Sequence, residues 1–146
     1  IDYMQNLPPM PDVPRDGVQQ MEAATQWVQS IAVDLGIAVL LVSQLTASAS
    51  REASDDRAPT CPRMSDARGG NAIENITDVG YAVWRPNLNK RATSDNEWDR
   101  DYAAAERNKA SVQCVKGKYT GRGGISLRFV PRSMSFESVD GQGTLV

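Results

Sequence analysis

The chain has no histidine and only two cysteines, Cys61 and Cys114. Without histidine it cannot build a Ser-His or Cys-His nucleophile pair from its own residues. Two cysteines outside any metal-ligand spacing argue against a zinc site and fit a reducing compartment. No apolar run reaches membrane length and no signal-peptide pattern is present, so a cytoplasmic location with no membrane partner is expected. Charge of one sign is also scarce. The formal net charge is −2, so any contact with a polyanion must be local.

What remains is ordinary for one globular domain. The 146 residues are 40% hydrophobic and 23% charged. The chain opens on Ile1-Asp2, a strand-like residue followed at once by a carboxylate, which is expected of a fragment of something longer.

The most informative stretch is Ile37 to Leu45, IAVLLVSQL. An unbroken apolar run predicts a strand covered on both faces, as in a parallel α/β sheet. Its polar exit, Ser43-Gln44, falls at the strand's carboxyl end, where ligands sit in open α/β sheets. Ile1 to Gln5 reads as the end of a neighbouring strand. Asn6 to Asp16 carries Pro8, Pro9, Pro11 and Pro14 and cannot be helical. Asp16 is placed to cap a helix whose stripe is Val18, Met21, Ala24, Trp27, Val28, Ile31 and Leu35, with Gly36 to end it. Strand, helix and strand make a right-handed βαβ unit.

Thr46 to Ser65 reads as a long polar loop, and loops of that length are functional or disordered. Ala72 to Ile76 reads as a short helix, Val79 to Trp84 as a third strand, and Pro86 to Arg107 as a polar excursion. Ala110 to Tyr119 and Ile125 to Val130 form a hairpin, with Ile125, Leu127 and Phe129 on one face. Met134 to Val139 is a last edge strand.

Several residues invite chemistry, and each has a plainer reading beside it. Asp2, at a strand end, holds Mg²⁺ beside a phosphate site, or is a solvated acid or helix cap. Gln44 senses a terminal phosphate, or is a satisfied polar residue at a strand exit. Arg68-Gly69-Gly70-Asn71 frees backbone N–H groups next to a helix start and seats a nucleic-acid phosphate, or is a turn. Arg51, Arg57 and Arg63 lie in the preceding loop. Lys116, Lys118 and Arg122 flank one hairpin and clamp a phosphate from outside, or blunt a sheet edge. Gly117-Lys118-Tyr119-Thr120 is no Walker A, because the glycine spacing and the following helix are both missing. Trp98 is the one tryptophan placed in a polar stretch.

The order of these motifs is more specific than any one of them. Asp2-Tyr3-Met4-Gln5, Leu41-Val42-Ser43-Gln44-Leu45, Asp66-Ala67-Arg68-Gly69-Gly70 with Ile73-Glu74-Asn75 and Asp78, then Lys116-Gly117-Lys118-Tyr119-Thr120-Gly121 follow one another. The series resembles the C-terminal half of the RecA-like motor of hexameric replicative DNA helicases, the DnaB, phage primase-helicase and mitochondrial Twinkle type. It runs from Ile1 to about Phe129.

The resemblance implies a partial RecA-like P-loop NTPase core over residues 1–146, α/β with a mostly parallel sheet and a C-terminal β-hairpin, lacking the Walker A half. It implies ATP or another NTP with Mg²⁺ at Asp2, Gln44 as γ-phosphate sensor, and Arg57, Arg63, Arg68, Gly69, Gly70 and Asn71 on single-stranded DNA. It places Lys116 and Lys118, with Arg122, against the nucleotide of a neighbouring subunit in a ring hexamer. A primase or helicase loader joins the expected partners, and the resemblance implies the cytoplasm of a bacterial or phage-infected cell. Lys118 stands where the family has an arginine and Asn71 where it has a glycine. The Walker A loop and catalytic glutamate lie upstream in the family, so this chain alone is expected to be inactive. The rival readings are another RecA-fold ATPase, such as a recombinase, and a non-catalytic DNA-binding or assembly module.

Overall fold

The computed structural model describes residues 1–53, 60–119 and 121–139, without the side chains of 52 and 53. Among these residues lie the helices α1 (Gly17–Leu35), α2 (Ala47–Ala53), α3 (Gly70–Ile76) and α4 (Glu97–Arg107). The strands are β1 (Val79–Trp84), β2 (Lys109–Gly117), β3 (Gly124–Val130) and β4 (Ser135–Ser138). The chain divides into two compact units, one of Ile1–Thr46 with Met64–Asp78, the other of Ala47–Arg63 with Val79–Val146.

In the first unit α1 is built as its ends predict. The Asp16 carboxylate accepts from the N–H groups of Val18 (2.9 Å) and Gln19 (3.1 Å), two donors with no partner inside the helix. At the other end Gly36 takes the left-handed conformation, φ 59°. Gly36 N–H then donates to Val33 O and Ile37 N–H to Ala32 O, the Schellman arrangement. The buried face is Ala24, Thr25 and Val28, rotated from the expected stripe, while Val18, Trp27 and Leu35 stay exposed. Thr25 can be buried because its hydroxyl donates to Met21 O at 2.5 Å. Helix α3 packs on α1 and buries Ile73.

The proline-rich loop before α1 is organised by one amide. Gln20 Nε2 donates to Val13 O (2.9 Å) and Pro14 O (3.1 Å), and its Oε1 accepts from Met10 N–H (2.7 Å). A proline-rich segment offers few N–H groups of its own, so its carbonyls turn to a side chain.

The expected mostly parallel sheet is not found. The sheet has four strands in the order β1-β2-β3-β4, every pair antiparallel. Residues 37–44 join no ladder, and Leu45 makes only an isolated antiparallel bridge to Ala67. Ile1–Met4 does run beside 40–42 in the same direction. The Ile1 amino group donates to Leu40 O (2.8 Å), Val42 N–H to Ile1 O (3.0 Å) and Met4 N–H to Val42 O (2.8 Å). Ile1 and Met4 thus bracket Val42 across three residues, where a parallel ladder takes two, and Met4–Asn6 closes into a 3₁₀ turn. The pairing cannot propagate. Nor is the apolar run covered on both faces, since Leu40 is 80% exposed and Ile37 49%.

In the second unit consecutive strands are neighbours. In the β1–β2 register Gly80 faces Lys116 and Tyr81 faces Cys114, so Val115 is the extra residue of a bulge. Gln113 faces Gly124, where any Cβ would strike the Gln113 side chain. Ile125, Leu127 and Phe129 alternate with exposed residues along β3, as predicted. An Arg128–Glu137 pair (2.6 Å) and the Phe129–Phe136 contact (5.3 Å) hold β4.

Two helices stand where loops were expected. One is α2, within 46–65. The other is α4, within 86–107, whose only buried residue is Ala103; its apolar series Trp98, Tyr102 and Ala105 is helically spaced but lies exposed, inside a stretch otherwise dominated by charge. Its start is legible only as a cap: Asn96 accepts from Asp99 N–H at 2.7 Å. Arg85 donates to Arg107 O (2.7 Å) and lies 4.1 Å over the Phe129 ring, fastening the end of α4 to the sheet. Among the described residues no helix is long and apolar enough to cross a membrane.

Candidate functional site

Asp2 and Gln44 emerge at the same end of the first unit. The Ile1–Met4 and 40–42 segments run in the same direction, and both lead into loops on that side. Both residues are exposed. A metal fit rests on Asp2 alone, since no group of three acidic, histidine or cysteine side chains clusters among the described residues. Mg²⁺ takes one or two carboxylates and fills its octahedron with water and phosphate oxygens. A single exposed carboxylate is compatible with that demand.

Gln44 is tied directly to the Arg-Gly-Gly segment. Its carbonyl accepts from Arg68 N–H at 2.7 Å, and on the next residues Leu45 bridges Ala67 and Thr46 N–H donates to Asp66 O (2.9 Å). Three successive residues after the apolar run therefore hold three successive residues of the turn that precedes α3.

Both glycines of that turn are demanded by their surroundings. Gly69 sits at φ 89°, a conformation that costs an L side chain, and an added Cβ would strike Met21 of α1. Gly70 is buried, and its Cβ would strike the Ser65 carbonyl oxygen and come within 2.7 Å of its carbon. Gly69 carries no side chain to cap α3. Arg68 and Asn71 on either side are exposed. The segment presents a cation and an amide from a backbone that cannot easily shift.

One residue here is not among those the sequence singles out. Gln5 lies in the 3₁₀ turn three residues after Asp2. Its Nε2 donates to Ser43 Oγ and to Arg68 O, both at 3.0 Å, and its Oε1 accepts from Gln44 N–H at 3.5 Å. The sequence shows an amide in the Asp2 motif. Its partners lie 38 to 63 residues away, so nothing local could announce its role.

The other predicted cations belong to the second unit. The β2–β3 ladder stops at Gln113–Gly124, with one further bond from Cys114 N–H to Gly123 O (2.7 Å). β2 continues to Gly117 on β1 alone, so Lys116 is half-buried on the strand and Lys118 and Arg122 are exposed beyond it. Lys118 Nζ lies 5.4 Å from the Tyr119 ring centroid. Arg63 is exposed in the segment before the 3₁₀ turn Met64–Asp66. Arg57 lies outside the described residues.

A family model, the DnaB-like helicase C-terminal domain, matches residues 1–138. Two solved structures share the fold. One is described as the structure of a DnaB-like replicative helicase and its interactions with primase (TM-score 0.69, 23% identity, 93% of this chain and 28% of that one). The other is described as an ATPase domain (TM-score 0.70, 23% identity, 96% of this chain and 43% of that one). This chain thus spans less than half the length of either. No curated protein matches. The family match covers nearly the whole described chain, from Asp2 through the hairpin to β4, and the chain belongs to the DnaB-like helicase C-terminal domain family.

Proposed function

We propose that this chain is the phosphate-sensing and DNA-gripping part of an ATP-driven motor that moves along single-stranded DNA and unwinds duplex DNA as a ring hexamer. The observation that carries the reading is the 2.7 Å bond from Arg68 N–H to Gln44 O. A motor must convert loss of a γ-phosphate into movement at nucleic acid. Here the residue proposed to sense phosphate is bonded to the residue proposed to grip DNA, so a shift of one backbone displaces the other.

In this reading Asp2 holds Mg²⁺, which would neutralise charge on the β- and γ-phosphates. Gln44 contacts the γ-phosphate by its amide. Arg68, Gly69, Gly70 and Asn71, with Arg57 and Arg63, hold DNA by its phosphates, giving strong salt dependence and little sequence preference. Lys116, Lys118 and Arg122 reach a neighbouring subunit's nucleotide, so catalysis needs two subunits and ATP or a related NTP. Lys118 lacks the fork of an arginine and clamps a transition state less well, which leaves Arg122 a share of that work. A primase or loader is the further partner expected of such a ring. The chain alone supplies no P-loop and is inactive in this reading.

The test is unwinding of a forked duplex by the full helicase polypeptide carrying these residues. ATP-dependent unwinding that is lost in Gln44→Ala, with single-strand affinity lost in Arg68→Ala, is the expected result. Strand exchange without unwinding would move the reading to a recombinase-like ATPase. DNA binding indifferent to nucleotide would leave a passive module.

A further inference from the structure

We propose that Gln5 is a positioning residue that couples the Asp2 loop to both Gln44 and the Arg68 turn, setting how strongly nucleotide state changes the grip on DNA. This rests on the function proposed above.

The geometry leaves the Gln5 amide one orientation. Arg68 O can only accept, so Nε2 must face it, and Gln44 N–H can only donate, so Oε1 must face that. Both N–H groups of Nε2 are then used, on Ser43 Oγ and on Arg68 O, and Oε1 is used on Gln44 N–H. One side chain joins three stretches of backbone that are far apart in sequence.

It is also anchored. The preceding Met4 is 2% exposed, and its N–H donates to Val42 O at 2.8 Å. A pull on Asp2 therefore cannot slide the 3₁₀ turn freely past Val42. It is relayed through the amide of Gln5 to Gln44 and Arg68. The direct Gln44–Arg68 bond links two partners only, and Gln5 brings in the third, the acid proposed to feel Mg²⁺.

The experiment measures single-strand affinity, not turnover. The full helicase polypeptide is titrated onto a fluorescein-labelled oligo-dT with ADP, then with a non-hydrolysable ATP analogue. The ratio of the two Kd values is the coupling factor, roughly 5 to 150 where two sites are linked. Gln5→Met keeps the length of the side chain and removes its hydrogen bonds. It should bring the factor down by about twofold or more but leave it above one, because the direct Gln44–Arg68 bond is kept, while Tm and the affinity in one nucleotide state stay close to wild type. Gln5→Glu sets a carboxylate against Arg68 O and should go further. Ser43→Ala removes one partner and should fall between wild type and Gln5→Met, which keeps the test open if a Gln5 variant fails to fold.

An unchanged factor in Gln5→Met overturns the inference, and so does a parallel loss of affinity in both nucleotide states together with a lower Tm, which is what a merely structural residue would produce. A wild-type factor of one overturns the functional reading and this inference with it. A wild-type factor above five that is unchanged in Gln5→Met overturns the inference alone.

Discussion

Gly70→Ala is a sharp structural perturbation of the turn proposed to grip DNA. Gly70 is buried and opens α3. A Cβ there would collide with the Ser65 carbonyl oxygen, and would lie 2.7 Å from its carbon and 2.9 Å from its Cα. Carbon atoms in contact settle at about 3.5–4.0 Å, so the overlap approaches ~1 Å, and it is with backbone, which has no rotamer to change. Overpacking of this kind costs about 1–3 kcal/mol. For a chain of this size that is a fall in Tm of about 3–10 °C.

Gly69→Ala makes the comparison informative. Its obstruction is the flexible Met21 side chain, which can swing aside, so the backbone conformation at φ 89° is the main cost, about 1–2 kcal/mol. Gly17→Ala is the control. It opens α1 with nothing within 4 Å of the new Cβ, and should be neutral or more stable by about 0.4–1 kcal/mol. Scanning calorimetry of the three variants gives the ranking, and oligo-dT affinity of Gly70→Ala in the full polypeptide shows whether the turn's shape matters to binding. A wild-type Tm for Gly70→Ala, or a larger loss in Gly69→Ala than in Gly70→Ala, refutes the steric reasoning.

Arg68→Ala should weaken single-strand binding and lower the slope of log K against log salt by about 0.7, one phosphate's share on single strands, read from titrations at several salt concentrations. Gln20→Ala strands the carbonyls of Val13 and Pro14 and the N–H of Met10, and should cost about 1–2 kcal/mol in urea denaturation. Lys118→Ala should lower ATP turnover in the assembled ring towards the roughly 10³-fold that a trans cation is worth, and a larger loss in Arg122→Ala would make Arg122 that cation. Asp99 is held below the usual carboxylate range by the Thr93 hydroxyl and by the donors of Ser94 and the Thr93 backbone. Its folded form thus favours the charged state. That contribution is present above the unfolded carboxylate pKa and is lost as pH falls through the lower folded value. NMR titration of the Asp99 carboxyl should show the depressed midpoint, and Thr93→Val should raise it.

Features with local causes could be read from the chain alone. Asp16 and Gly36 delimit α1 because a cap and a left-handed turn act within about four residues. The hairpin of β2 and β3 follows from alternation across a glycine-rich turn. The order of the motifs pointed to the family, and Arg68-Gly69-Gly70 marked a place where backbone must come close to something. Other features depended on what folding brings together. Whether Ile37 to Leu45 becomes a ladder strand depends on what lies beside it, and Ile1–Met4 turns away after Val42; the antiparallel sheet is built separately, from β1 to β4. Helix α4 has a cap and a short apolar series, Trp98, Tyr102 and Ala105, that stays exposed, and it is fastened by Arg85 across the sheet. Gln5 is one amide in a loop and turn until folding brings Ser43, Gln44 and Arg68 to it. A hydrogen bond across 63 residues depends on the folded path of the chain, and no spacing rule in the sequence encodes it.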